Sequence, residues 1–241
     1  MAPKPKPQPK LQTSKGGNPF KNREGLGAYL ANPETFPASI VIDYNDDFVI
    51  IHDKFPKASV HTLILPRSPS IYSKHPIDAL ADPELLAKIK IEVARVKQLV
   101  AAELQRKFGK FSHSDAEREA VLNGEVESAG ADLPDGRDWL AEVKCGIHAV
   151  PSMSHLHIHV LSRDMHSEAL KHRKHYNSFN TPFLVDVDEF PLAEDDGRRD
   201  TKEEGYLRWD MKCWRCGRNF GNQFKQLKDH LEMEFEAWKK E

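Results

Sequence analysis

Residues 155–161 read His155-Leu156-His157-Ile158-His159-Val160-Leu161, and this strict alternation suits one regular backbone. Successive side chains of a β-strand point to opposite faces, whereas a helix would scatter them around its circumference. As a strand, the run puts three imidazoles on one face and Leu156, Ile158 and Val160 on the other. The apolar face needs a core, so the strand belongs to a sheet covered by other elements. The other face carries groups that serve near neutral pH as nucleophile, base or metal ligand. Chance clustering, a metal site, and covalent or acid–base catalysis are the three readings of these residues. Pro151-Ser152-Met153-Ser154, just before the run, supplies a turn whose hydroxyls and N–H groups suit a phosphate, and this favours catalysis.

The surrounding sequence predicts an α+β domain. Phe48-Val49-Ile50-Ile51 and Val60-His61-Thr62-Leu63-Ile64-Leu65 are strand-length runs of β-branched and apolar residues. Lys144 to Val150 is a third strand, and Phe20 to Leu30 has the pattern of a short amphipathic helix. Asp82-Pro83-Glu84 is a helix start, with a capping Asp and Pro in the first turn. Leu85, Leu86, Ile89, Val93, Val96, Val100 and Leu104 follow at helical spacing, so this helix runs to about Leu104. Residues 109–136 are polar and read as a surface insertion. The expected organisation is a basic arm over 1–18, a catalytic domain over 19–188, a linker over 189–204 and a small second unit over 205–241.

With 241 residues and a net charge of −2, total charge argues neither for nor against nucleic acid. Distribution says more. The first 23 residues hold Lys and Arg, no acid, and a Pro-Lys repeat that cannot form a core element, which suits a disordered arm attracting polyanions. A plain solubilising tail is the alternative. No apolar run is long enough to span a bilayer, so a soluble, non-secreted protein is expected. Three cysteines make no disulfide framework, and Cys213 and Cys216 form a C-x2-C pair that suggests metal, with a redox pair as alternative. Cys213, Cys216, His230 and Glu234 together read C-x2-C-x13-H-x3-E. His230 and Glu234 share one helix face, and Phe220 and Leu227 occupy the core positions of a ββα zinc finger. Two thiolates, an imidazole and a carboxylate suit one tetrahedral Zn2+ of structural type.

His61 and the His155–Val160 run resemble the histidine-triad (HIT) superfamily of nucleotide hydrolases and transferases. Asp53 to Ala58, Gly146 to His155 and Lys171-His172-Arg173-Lys174-His175-Tyr176-Asn177-Ser178-Phe179-Asn180-Thr181 are similar to the aprataxin branch of it. The resemblance implies a HIT fold fused to a zinc finger, and a DNA repair hydrolase that removes AMP from 5′-adenylated DNA ends. It implies His157 as the nucleophile, with His155 and His159 orienting it and contacting phosphate, and His61 positioning it from a neighbouring strand. Ser152 and the N–H groups around Met153 would hold the phosphate, with Lys57 beside them. His148 lies near the site, and His166 would serve the leaving 5′-phosphate. Asp53 would hold the ribose hydroxyls, and Ile50 and Ile51 would wall the adenine.

DNA contacts are expected from Lys171, Arg173, Lys174, His175, Tyr176 and Asn177, and from Trp214, Arg215 and Arg218 of the finger. Phe20 is the expected aromatic wedge against the terminal base. Glu234, where the common finger has a second His, matches the variant of fungal aprataxins. Only the basic arm precedes Phe20, so the forkhead-associated domain of animal aprataxins, and phosphopeptide docking with it, is not expected. No metal is expected in the catalytic site, and a nuclear monomer is the expected form. Activity on 5′-guanosine caps fits the same pocket. A hydrolase of small nucleotides, such as adenosine phosphoramidates, and a non-catalytic zinc-finger nucleic-acid binder are the rival readings.

Overall fold

A computed structural model describes residues 23–127, 130, 132–200 and 205–241. The basic arm and Phe20 lie outside the described residues. The frame is a six-stranded antiparallel sheet in the order β1-β2-β3-β5-β4-β6. Its strands are β1 Val41–Tyr44, β2 Phe48–His52, β3 His61–Pro66, β4 Val143–His148, β5 Ile158–Ser162 and β6 Leu184–Val185. Helices α1 Pro69–Tyr72 and α2 Pro76–Ala79 lead into the long α3, Pro83–Phe108. Further along are α4 Ala116–Leu122, α5 Arg173–Asn180 and α6 Phe224–Trp238. No helix of the described residues is long and apolar enough to cross a membrane.

Side-chain parity assigns the two faces of the sheet. Phe48, Ile50, Ile64, Val143, Cys145, Ile147, Ile158 and Val160 join the core built on α3. The start of α3 is fixed as its sequence predicts: the Asp82 carboxylate accepts from Glu84 N–H at 3.0 Å and Leu85 N–H at 3.4 Å, with Pro83 in the first turn. Its apolar stripe from Leu85 to Leu104 is buried on the sheet. The alternate residues make the opposite face, here the site face. Val49, Ile51, Leu63 and Leu65 pack there under Leu26 and Tyr29 from a 3-10 turn over Gly25–Tyr29, and under Leu30 just after it. That turn is what the described part of the expected N-terminal helix forms.

The site face also explains a glycine. Gly146 pairs with His159, and a Cβ on it would lie 2.7 Å from both Leu184 Cγ and Val185 O, so β6 and β4 meet only over a bare backbone.

The second unit is seated on the sheet. Met211, Cys213, Phe220, Leu227 and Leu231 pack with Leu161, Met165, Tyr176 and Phe179 in one core. Phe235 and Trp238 at the end of α6 enter the α3 core instead. The polar insertion holds this end: buried Asp115 accepts from Trp139 Nε1–H at 2.8 Å and Arg137 N–H at 2.9 Å, and Arg137 donates to Trp238 O at 2.5 Å. Phe190 and Leu192, within the stretch expected to link the two units, are themselves buried in the α3 core.

Candidate functional site

His148, His157 and His159 converge on the site face, each offering a ring nitrogen within 4.8 Å of the others. His61 joins from β3, its Nε2 2.9 Å from His159 Nδ1. A cavity of about 260 Å³ opens over them. Its walls include Asp53, Lys57, Ser152, Met153 and Ile51, and its far side is formed by Leu26 and Tyr29 of the 3-10 turn.

The hydrogen bonds assign the protons. His157 Nδ1 lies 2.7 Å from the His155 carbonyl, which can only accept, so Nδ1 carries the hydrogen and donates. The lone pair of His157 is therefore on Nε2. Lys57 N–H donates to His61 Nδ1 at 3.1 Å, so neutral His61 is protonated at Nε2 and donates to His159 Nδ1. His159 then carries its proton on Nε2, which is buried with no partner among the described residues. One imidazole presents a lone pair and its neighbour an unspent N–H. His148 Nε2 is likewise buried and unpartnered.

Burial keeps this cluster neutral. It pushes His61 down to about 4 and His148 down to about 3, with neighbouring imidazoles lowering His148 further. It also holds His159 well below the usual range and lowers His157. Burial lowers Lys57 as well, with Asp53 opposing it. A stability consequence follows. The unfolded histidines titrate near 6.5, so below that pH the unfolded chain takes up protons that the folded cluster refuses. The stabilisation is complete above pH 6.5 and is lost as pH falls through about 4 and then about 3. The denaturant midpoint should therefore drop between pH 6.5 and 4; a flat midpoint across that window would contradict a neutral buried cluster.

Several expected residues sit elsewhere. The regular strand begins at Ile158. Before it, Ser154 N–H donates to Arg23 O and Leu156 N–H to Tyr72 O at the end of α1, so residues 154–156 bond outside the sheet and the regular strand does not extend back to His155. His155 turns away from the cavity, with its ring 4.7 Å from that of Tyr72 and Nδ1 3.7 Å from Glu24. A Cβ on Gly27 would lie 2.8 Å from its Nε2, so that glycine admits the ring. His166 lies flat on Phe235 of α6 at 3.9 Å and pairs with Glu232 at 2.8 Å, so it joins the two units instead of lining the cavity. Ile50 has the wrong parity and is buried in the α3 core, while Ile51 lines the cavity.

Of the basic run, Lys171 and Lys174 are exposed, Arg173 is half-buried and His175 lines the cavity. Tyr176 and Asn177 are buried. Tyr176 OH donates to Lys212 O at 2.8 Å and accepts from Trp214 N–H at 2.9 Å, and Asn177 Nδ2–H donates to Trp209 O at 2.8 Å. These two residues fasten α5 to the finger. Tyr176→Phe leaves the Trp214 N–H without its acceptor and should cost ~1–3 kcal/mol. That is a fall of about 2–4 °C in thermal midpoint per kcal/mol. DNA affinity of the folded variant should stay within about twofold; lost affinity at an unchanged midpoint would put Tyr176 on a nucleic-acid surface.

Sequence reasoning passed over Tyr29, Ser178 and Phe179, which all line the cavity. Phe179 stands edge-on to His61 at 5.3 Å and His159 at 5.0 Å, and packs on His148 at 4.8 Å. Its signal in the sequence is the Asn177-Ser178-Phe179-Asn180 stretch, which directly follows the basic residues.

Cys213, Cys216, His230 and Glu234 form the second cluster, with one ligand atom from each within 4.8 Å of the others. Cys216 Sγ is 3.1 Å from His230 Nε2, which is 3.0 Å from Glu234 Oε1. Arg215 Nη1 donates to the other carboxylate oxygen at 2.6 Å and holds Glu234 below the usual carboxylate range. This donor set fits zinc: soft sulfur, imidazole and carboxylate face one point, and an outer guanidinium orients the hard ligand. Arg215 also pairs with Glu241. Arg218 lies over Phe220, and Trp214 Nε1–H donates to Asp164 O at 3.2 Å.

Comparison with known proteins agrees with both halves. Residues 35–166 match the HIT domain family, and residues 180–237 match the C2HE / C2H2 / C2HC zinc-binding finger. The chain is 37% identical over 217 residues to the aprataxin-like protein of Saccharomyces cerevisiae, covering 89% of this chain and 96% of that protein. It is 31% identical to the aprataxin ortholog Hnt3 solved in complex with DNA, at a TM-score of 0.70 over 90% of this chain and 96% of that one. The structure of Hnt3 in complex with DNA and guanosine matches at 31% identity and a TM-score of 0.68, covering 90% of this chain and 96% of that one.

Proposed function

This chain belongs to the aprataxin family of HIT-domain proteins with a C-terminal zinc finger, and on that premise we propose that it is a DNA repair hydrolase removing AMP from 5′-adenylated DNA ends. The observation that carries the reading is the pair of protonation states over one cavity: a lone pair on His157 Nε2 beside an unspent N–H on His159. Nε2 attacks the AMP phosphorus, forming a P–N bond as the P–O bond to the DNA 5′-phosphate breaks. The His159 N–H donates to oxygen charge that grows at this centre. Water then attacks the phosphorus, the P–N bond breaks, and AMP leaves with His157 restored. Splitting one displacement into two through a covalent intermediate is what an activated nucleophile offers. Ser152, the N–H groups about Met153 and Lys57 would take the remaining phosphate oxygens, a role supported by these three residues lining the cavity, and donors fixed in advance stabilise the charge of the transition state. Asp53 takes the ribose hydroxyls, with Ile51, Leu63 and Tyr29 against the base.

The chain's DNA contacts are assigned to exposed Lys171 and Lys174, to Arg173 at the start of α5, and to the finger. Zinc at Cys213, Cys216, His230 and Glu234 would supply a structural cross-link, and no step of the reaction passes through it. Nuclear action on abortive ligation products is the corresponding biological task. Small adenylates are the rival substrates for the same cavity. The deciding assay incubates the protein with 5′-adenylated nicked DNA and, in parallel, with an adenosine phosphoramidate. AMP release from the DNA at a kcat/KM at least tenfold higher supports the reading; preference for the small compound overturns it. A 5′-guanosine-capped end in the same assay tests tolerance of the base, a point raised by the guanosine complex of Hnt3.

A further inference from the structure

The site face continues past the histidines into a second cavity, of about 310 Å³, where the finger meets β4, β5 and the end of α5. Lys144, Arg163 and Lys212 line it with Asn180, Cys213 and Trp214, and no carboxylate does so. Lys144 lies on its floor, donating to Phe179 O at 2.9 Å and to Asn180 Oδ1 at 3.2 Å. Arg163 and Lys212 are exposed at its rim. The Arg163 guanidinium sits 5.6 Å from the centroid of the Trp214 ring, and among the described residues no acid pairs with it or with Lys212.

Arg163 and Lys212 thus share one cavity with Lys144, and no carboxylate forms its walls. Burial, and then Arg163, push Lys144 down to about 7, with the Asp164 carboxylate opposing them. Lys144 pairs with Leu161, two residues along β4 from the Gly146–His159 row, a strand rise of about 7 Å. The cavity is therefore close to the histidines and on the same face of the sheet.

We propose that this seam between sheet and finger is a subsite for a backbone phosphate of the nucleic acid, gripped by Arg163 and Lys212 over Lys144. The inference rests on the DNA-end reading and deepens it, by placing part of the affinity on residues that neither the histidine cavity nor the basic run contains. A guanidinium held on an aromatic face with its N–H edge free suits phosphate oxygens, and such contacts position a strand without reading its sequence. A rival explanation is that the cations only offset the thiolates of the finger, since Cys213 lines the same cavity.

The test uses the full chain with zinc bound and an adenylated nicked duplex. Affinity is measured across a salt series for wild type, for Arg163→Gln with Lys212→Gln, and for Lys88→Gln with Lys90→Gln on α3 as an equal loss of charge. Each neutralised phosphate contributes about 0.9 to the slope of log affinity against log salt. The seam variant should lose about one unit of slope and roughly five- to tenfold in affinity at physiological salt. Zinc content and hydrolysis of a small adenylate should stay within about twofold of wild type, and the α3 variant should keep the wild-type slope. An unchanged slope in the seam variant, or an equal loss in both variants, overturns the subsite. So does reduced zinc content at constant slope, which would assign the cations to the finger. Wild type that binds DNA and releases AMP while the seam variant keeps its slope defeats the subsite alone; wild type that does not bind DNA defeats both.

Discussion

His157→Ala is expected to lower AMP release from adenylated DNA by at least ~10³-fold, because the residue supplies the bond-forming lone pair and nucleophile losses are of this order or larger. DNA affinity should change little, since the phosphate contacts lie on other residues. The fold should tolerate the change: the ring borders an open cavity, and its one bond is to the carbonyl two residues earlier. His155→Ala is the informative companion. That ring packs between Gly27 and the ring of Tyr72, outside the cavity, so its loss should reduce activity less than tenfold and mainly through stability. The measurement is single-turnover AMP release at matched folded fraction, with labelled AMP trapped on the protein as a second readout. Activity of His157→Ala within tenfold of wild type, or a larger loss from His155→Ala, would move the nucleophile to another residue.

Removing the metal should have the other large effect, and it should reach beyond the finger. Cys213→Ala deletes a ligand that lies in the same packed core as Leu161, Met165, Tyr176 and Phe179 of the catalytic half. Small zinc units owe their folding to the ion, and the binding free energy of structural zinc runs to about 10–16 kcal/mol in isolated fingers. Losing even a quarter of that should lower the thermal midpoint by roughly 10 °C. The transition should remain single, because α6 also places Phe235 and Trp238 in the core with Trp139 and Val143. Glu234→His should retain zinc and most of the midpoint, since it keeps the helical spacing and replaces a carboxylate with the commoner imidazole. Two separate transitions in Cys213→Ala, with the upper one at the wild-type temperature, would show that the finger is an independent appendage. The sequence suggests such an appendage joined by a linker; the packing of Phe190 and Leu192 is the reason to expect otherwise.

Local pattern alone determined much of this protein. The alternation around His157, the capped start and apolar stripe of α3, and the Cys213–Cys216 and His230–Glu234 pairs of the finger each depend on residues a few positions apart. Periodicity and capping act at that range, so the sheet, the long helix and the finger were legible. The sheet parity of Ile50 against Ile51 was also encoded, but only the choice of which face holds the site assigns them, and that choice is tertiary.

What the tertiary structure decided is which of many histidines meet. His61 and His159 are 98 positions apart and become partners only because β3 pairs with β5. The tautomers follow from that meeting, since the Lys57 N–H and the His155 carbonyl dictate where the protons go. His155 left the site because the chain before Ile158 bonds to Arg23 and to the end of α1 instead of to a strand, and His166 left it because the finger offered Phe235 and Glu232. Tyr176 and Asn177, written among cations, were taken inward by hydrogen bonds to the backbone carbonyls of Lys212 and Trp209. Contacts between distant elements carry no local period, so only the folded chain assigns them.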